Sequence, residues 1–387
     1  MRKKVLALVM AAAMAAAMTG CSSSAPAQGT TAEVKTEAKE NTAGSDTTAA
    51  EEKKSEDGYE LALITDVGTI DDKSFNQGSW EGLVKYADEH GISCKYYKPT
   101  EKSDEACMTA IDLAIKGGAK LIVCPGFLFE VPVFNAQTKY PDVKFIILDG
   151  APHNGDYNNV IEDNVRSIFY AEEQAGFLAG YAAVTEGNRK LGFMGGIAVP
   201  AVIRYGYGYI EGADYAAKEL GLNKGDIEMK YTYVGNFDAS PENMAKASSW
   251  YNEGTEVIFA CGGAVGNSVM KAAETAGKSV IGVDVDQYSE SSTVITSAMK
   301  NLGKSVYDAV DAFYAGTFEG GVSVTLDAKQ DGIELPMEHS KFTVFNQEMY
   351  DTLYQGMIDG TIKVDKDDVA ADASGVPADI VVVESIK

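Results

Sequence analysis

The segment Asp66, Val67, Gly68, Thr69, Ile70, Asp71, Asp72, Lys73, Ser74, Phe75, Asn76 crowds hydrogen-bonding groups around one aromatic ring, just where a helical pattern begins. The free backbone N–H groups of a helix start add donors to such a loop, and Asp72 or Ser74 is also placed to cap that helix. Two further segments, Asp149-Gly150 and Asp284, Val285, Asp286, Gln287, each follow an apolar run and present carboxylates. A carboxylate there accepts from ring N–H groups or from both hydroxyls of a diol, so the expected ligand is neutral and rich in donors. A fourth segment runs from Gly195-Gly196 through Arg204 to Tyr205, Tyr207 and Tyr209. Its glycines allow backbone to approach a ligand and its rings offer a stacking face. The pattern Gly206, Gly208, Gly212 is one residue too long for a dinucleotide fingerprint and lies within a helical pattern, so no cofactor is expected.

Little here speaks for catalysis. The only histidines are His90, His153 and His339, none in a metal-binding or nucleophile motif, and neither a Gly-x-Ser-x-Gly elbow nor a phosphate-binding loop is present. Cys94, Cys107, Cys124 and Cys261 show no C-x-x-C spacing, and most of them sit in apolar runs, so neither a metal site nor a required disulfide is expected.

The elements that must position these groups alternate short apolar strands with helical patterns, the signature of parallel sheets with crossover helices. Strands are expected at 60–65, 93–97, 120–124 and 144–148, and again at 190–194, 228–233, 257–260 and 280–283, with a long helical segment over about 168–184 between the two sets. The helix opened by Ser103, with Asp104 and Glu105 in its first turn, stops at Gly117-Gly118, and another opens at Ser240-Pro241-Glu242. Two such units in tandem predict an α/β fold of two doubly wound lobes. Because ligands of these sheets bind beyond the carboxyl ends of the strands, facing lobes put all four polar segments around one hinged cleft. The expected division assigns 58–164 and 290–320 to lobe 1, and 165–289 and 321–387 to lobe 2.

Ahead of the lobes, Arg2, Lys3 and Lys4 precede an apolar run that ends at Thr19-Gly20-Cys21. This reads as a lipoprotein signal peptide over 1–20 with Cys21 as the lipidated residue. Residues 21–57 are rich in Ser, Thr, Ala, Glu and Lys, lack aromatics, and read as a disordered tether. The net charge of −24 argues against nucleic acid as a partner.

Asp71-Asp72-Lys73-Ser74-Phe75-Asn76-Gln77 with Trp80-Glu81-Gly82 resembles the opening signature of the basic membrane protein family of nucleoside-binding lipoproteins. The likeness continues through Pro141-Asp142-Val143-Lys144-Phe145, Phe177-Leu178-Ala179-Gly180-Tyr181, Gly195-Gly196 and Ile281-Gly282-Val283-Asp284-Val285-Asp286-Gln287. It implies a type I periplasmic-binding-protein fold in a lipid-anchored, extracytoplasmic, monomeric protein that is not an enzyme. The partners it implies are an ABC permease and a purine nucleoside: adenosine, guanosine or inosine. Carried over by motif, Phe75 and Tyr205 would sandwich the base, and Asn76 and Asp149 would hydrogen-bond it. Gly263, Asp284 and Lys300 would hold the ribose, with Asp72 supporting the loop or joining the contact. The alternatives are another planar ligand such as a flavin, a surface sensor or adhesin that transports nothing, and a calcium-dependent nucleoside hydrolase built on Asp66, Asp71 and Asp72.

Overall fold

Short strands, with Leu61–Ile64, Leu121–Pro125 and Val257–Cys261 buried throughout, alternate with helices that cover both faces of two largely parallel sheets. The structure, a computed structural model, describes residues 58–66 and 68–386. The expected signal peptide, the tether and Cys21 lie outside the described residues.

Lobe 1 opens with β1 (Leu61–Ile64), α1 (Phe75–His90), β2 (Cys94–Tyr97), α2 (Asp104–Lys116), β3 (Leu121–Pro125), α3 (Glu130–Lys139), β4 (Lys144–Leu148) and β5 (Val165–Tyr170). The chain then crosses to lobe 2 for α4 (Glu172–Thr185), β6 (Lys190–Gly195), α5 (Pro200–Glu219), β7 (Ile227–Tyr233), α6 (Pro241–Asn252), β8 (Val257–Cys261), α7 (Val265–Ala276), β9 (Ser279–Asp284) and β10 (Val294–Lys300). It returns to lobe 1 for α8 (Leu302–Tyr314) and β11 (Val322–Leu326), and ends in lobe 2 with β12 (Ile333–Glu334), α9 (Gln347–Asp359) and β13 (Val381–Ser385). The sheet orders are β11-β5-β4-β3-β1-β2 and β12-β10-β9-β8-β6-β7-β13. All of the expected strands form, and the expected caps form with them: Ser103 accepts from the Ala106 N–H and Ser240 from the Asn243 N–H.

Two expectations are corrected. Residues Val165–Tyr170, placed by the sequence partly within a long helix and wholly in lobe 2, form β5 and pair parallel with β4 in the first sheet. Likewise β10 completes the second sheet beside β9, and β11 pairs with β5 in the first. The chain changes lobe after a strand and not before it, because a strand left out would expose the hydrogen-bonding edge of its neighbour. Three crossovers result, β5 to α4, β10 to α8 and β11 to β12, and backbone hydrogen bonds tie them together: Ala171 N–H to Leu326 O at 3.0 Å and Asn301 N–H to Gly332 O at 3.0 Å.

The glycine pattern of α5 also finds its cause. A Cβ on Gly208 or Gly212 would lie 1.9 Å from the carbonyl oxygen of Glu173 or Phe177, and one on Gly176 or Gly180 would lie 2.2 Å from that of Tyr205 or Tyr209. Glycines four apart on both helices let α4 and α5 pack backbone to backbone, which fixes α5 beside the hinge.

Candidate functional site

Strand ends from both sheets meet at a cavity of about 400 Å³, and every expected site residue lines it: Asp72, Phe75, Asn76, Asp149, Tyr205, Gly263, Asp284 and Lys300. Each gets there for a local reason. Asp149 and Asp284 directly follow or end β4 and β9, and both adopt the left-handed conformation, with φ of 52° and 67°. Aspartate tolerates that region better than most residues, and here it turns the carboxylate off the sheet into the cleft. Gly263 is also left-handed, at φ 54°, in the turn after β8.

The loop before α1 is organised by Asp72. Its carboxylate accepts from the backbone N–H groups of Ser74, Asn76 and Gln77 and from the Asn76 side-chain amide, at 2.8 to 3.1 Å. Asp72 therefore caps the helix, while Ser74, which occupies the N-cap position, makes no cap bond and donates its hydroxyl across the cleft to Asp284. Asn76 is also committed to the loop: its amide donates to Asp66 and Asp72, and its oxygen accepts from the Asp66 N–H at 3.1 Å. It thus shapes the cleft wall and keeps no free donor for a ligand.

Tyr205, expected as a stacking face, is only 1% exposed and sets its ring edge-on to Phe259, 5.7 Å between centroids. Its hydroxyl has no hydrogen-bond partner among the described residues. The rings left half-buried in the cavity are Phe75 and Phe127 from lobe 1 and Phe237 from lobe 2. Phe127 and Phe237 were missed in the sequence, although both follow strand ends, at Pro125-Gly126 and at Val234-Gly235-Asn236, as Asp149 and Gly263 do. Phe237 packs against Gly196, where a Cβ would come within 2.3 Å of the ring.

Lys300, the last residue of β10, is the one deeply buried cation of the cavity among the described residues, 3% exposed. Its ammonium pairs with Asp149, lies 3.1 Å from Glu172 Oε1 and 3.9 Å from Asp284 Oδ1. It also sits 4.8, 5.3 and 5.5 Å from the ring centroids of Phe75, Tyr170 and Tyr205. Burial by itself would lower its pKa, but the three carboxylates outweigh burial and raise it, so Lys300 stays charged. Burial pushes Asp149 up to about 7 against the pull of Lys300, and it also raises Asp284, against Lys300 and the Ser74 hydroxyl. Asp149 Oδ1 has no hydrogen-bond partner among the described residues. An acceptor left bare in a buried site is costly until a donor reaches it, and a ligand N–H is a donor of the right kind. Cross-lobe contacts outside the cavity, Gln287 Nε2 to Lys73 O at 2.5 Å and Lys73 to Glu290 at 3.6 Å, hold the lobes together beside it.

The chain matches the family described as ABC transporter substrate-binding protein PnrA-like over residues 59–368. It is 30% identical to the ABC transporter nucleoside-binding protein BmpA of Lactococcus lactis subsp. cremoris, with 94% of this chain and 99% of that protein covered. To basic membrane protein D of Borreliella burgdorferi it is also 30% identical, over 81% of this chain and 89% of the other. Among solved structures, a solute-binding protein of an ABC transporter system from Aeropyrum pernix K1 shares the fold with a TM-score of 0.69 at 24% identity, covering 81% of this chain and 94% of that one. Lobes, cleft and the run of motifs along the chain agree with these likenesses, and the chain belongs to the PnrA-like, basic membrane protein family of ABC transporter substrate-binding proteins, which bind their cargo and do not transform it.

Proposed function

We propose that this chain captures a purine nucleoside in the interlobe cleft and presents it to an ABC permease. In this reading it acts as a monomer held by a lipid on Cys21 at the extracytoplasmic face of the membrane. The observation that carries the reading is the pairing of half-buried rings from both lobes with carboxylates on two strand ends, one of them with a bare oxygen. Phe75 or Phe127 on one side and Phe237 on the other suit a flat base, worth roughly 1–3 kcal/mol per stacked base. Asp149 Oδ1 accepts from a base N–H, and Asp284 and Lys300 face the ribose hydroxyls. The cavity falls within the usual range for small-molecule sites. The carboxylates around it, among them Asp66, Asp71 and Asp238, favour an uncharged ligand over a phosphorylated one. The name of the Lactococcus lactis relative supports the same class of ligand.

The deciding experiment is isothermal titration of the purified protein, stripped of ligand by unfolding and refolding, with adenosine, guanosine, inosine, uridine, ribose and riboflavin. Saturable binding of purine nucleosides without ribose binding supports the proposal. Binding of riboflavin alone would move the ligand to the flavins, and silence with all nucleosides would remove the nucleoside assignment.

A further inference from the structure

Glu172 is wholly buried at the start of α4, immediately after the first crossover, and is not among the residues that line the cavity. Its two oxygens divide two cations. Oε1 lies at ion-pair distance, 3.1 Å, from the Lys300 ammonium at the second crossover without a hydrogen bond to it, and Oε2 accepts from Arg204 Nε at 2.6 Å. Arg204 in turn reaches Asp367 at 3.3 Å, which secures it from the far side. Without Glu172, the Lys300 charge would have Asp149 and Asp284 as its only close anionic partners, and these are the acceptors that the cleft offers to a ligand. With Glu172 in place the ammonium is shared with the hinge, and it stands at 3.9 Å from Asp284 while Asp149 keeps one oxygen bare.

We infer that Glu172, braced by Arg204, is a positioning residue that shares the Lys300 charge from the hinge side while Lys300 stays paired with Asp149 Oδ2, and so leaves Asp149 Oδ1 and Asp284 able to accept hydrogen bonds from ligand. The inference rests on the cleft being the ligand site proposed above. It assigns Glu172 no ligand contact; the residue acts through Lys300. A buried ion pair is poor evidence of a stabilising role, since desolvation offsets most of its attraction, which leaves the control of charge placement as its function here.

Asp149 is faced by Lys300 from β10, Glu172 from α4 and Arg204 from α5, with the hydroxyls of Tyr170 and Tyr205 and the thiol of Cys261 around them. The Glu172 charge raises the Asp149 titration, and Lys300 lowers it. In the empty wild-type protein, carboxyl-carbon NMR should find Asp149 titrating above the ordinary aspartate range and Glu172 below the ordinary glutamate range. The reverse order would overturn the inference, and this measurement needs no variant. In Glu172→Gln the Asp149 midpoint should fall by about one pH unit or more, as the repulsion is lost and the Lys300 charge is no longer shared with Glu172. An unmoved midpoint, with or without a lower melting temperature, would mean a merely structural role and would also overturn it. Inosine affinity should drop about tenfold or more in Glu172→Gln, yet change little when Glu172→Gln is added to Lys300→Met, because the effect runs through Lys300. Full additivity of the two would refute that route. If the wild-type protein binds no nucleoside, the proposed ligand fails while the ligand-free titrations still decide the role of Glu172.

Discussion

Replacing Phe237 with alanine separates two assignments of the lobe 2 stacking face. The ring lies half-buried over Gly196 on the cavity side of the β7 loop, and packs against the core only at its margin. Its removal should cost roughly 1–3 kcal/mol of base stacking, which converts to a loss of about 5- to 150-fold in purine nucleoside affinity. Because the ring is not fully buried, the stability cost should stay below that of a core phenylalanine, about 3–5 kcal/mol. The comparison variant is Tyr205→Phe. Its hydroxyl is buried without a partner, so deleting it should leave affinity within about twofold and hold or raise stability, since an unsatisfied buried hydroxyl costs about 1–3 kcal/mol. Calorimetric titration with inosine, paired with urea unfolding, reads both quantities. Unchanged affinity in Phe237→Ala, together with a large loss in a Tyr205→Leu variant that still folds, would refute the stacking geometry and return the platform to Tyr205.

Asp149→Asn should weaken nucleoside binding by more than tenfold, since the bare acceptor is replaced by an amide that no longer balances Lys300; titration calorimetry gives the value. Affinity in the wild type should also fall as pH drops through about 7, where Asp149 takes up a proton and its oxygen stops accepting freely, a trend read by repeating the titration between pH 6 and pH 8. Glu186 accepts from the backbone N–H groups of Thr343, Val344 and Phe345. Burial tends to raise its pKa, but these bonds lower it overall. Its contribution to stability is therefore present above the unfolded glutamate pKa and is lost as pH falls through the lower folded value. Glu186→Ala should cost about 1 kcal/mol at pH 7, as measured by urea unfolding, and less at acid pH. Gly208→Ala should destabilise by about 1–3 kcal/mol or more, because its Cβ would lie 1.9 Å from the Glu173 carbonyl oxygen and α4 and α5 would have to part.

Much of this molecule was legible in local pattern. The strands β1 to β4 and β6 to β9 announce themselves as short apolar runs, and a helix cap such as Ser240-Pro241 is written within a few residues. The rule that ligand sits at strand ends pointed to the segments that hold Asp72, Phe75, Asn76, Asp149, Tyr205 and Asp284, the family resemblance added Gly263 and Lys300, and all eight line one cavity. That same rule would also have reached Phe127 and Phe237 had each strand end been followed into its loop.

What only the tertiary structure decided depends on partners distant in the chain. Whether Val165–Tyr170 is strand or helix turns on β4 and β11 lying on either side of it, which no local periodicity encodes. Tyr205 and Phe237 are both aromatic residues near the glycine-rich turns of lobe 2, and only packing on Phe259 and on Gly196 shows which ring is spent on the core and which remains for a ligand. Ser74 and Asp72 look equally fit to cap α1, yet the approach of Asp284 from the other lobe takes Ser74 away. The sequence by itself determined the two-lobed plan and the polar strand-end segments, because burial patterns and caps act over a few residues. The pairing of Lys300 with Asp149 and Glu172 was decided by the hinge, because charges enter a low-dielectric interior only when folding brings their partners within a few ångströms.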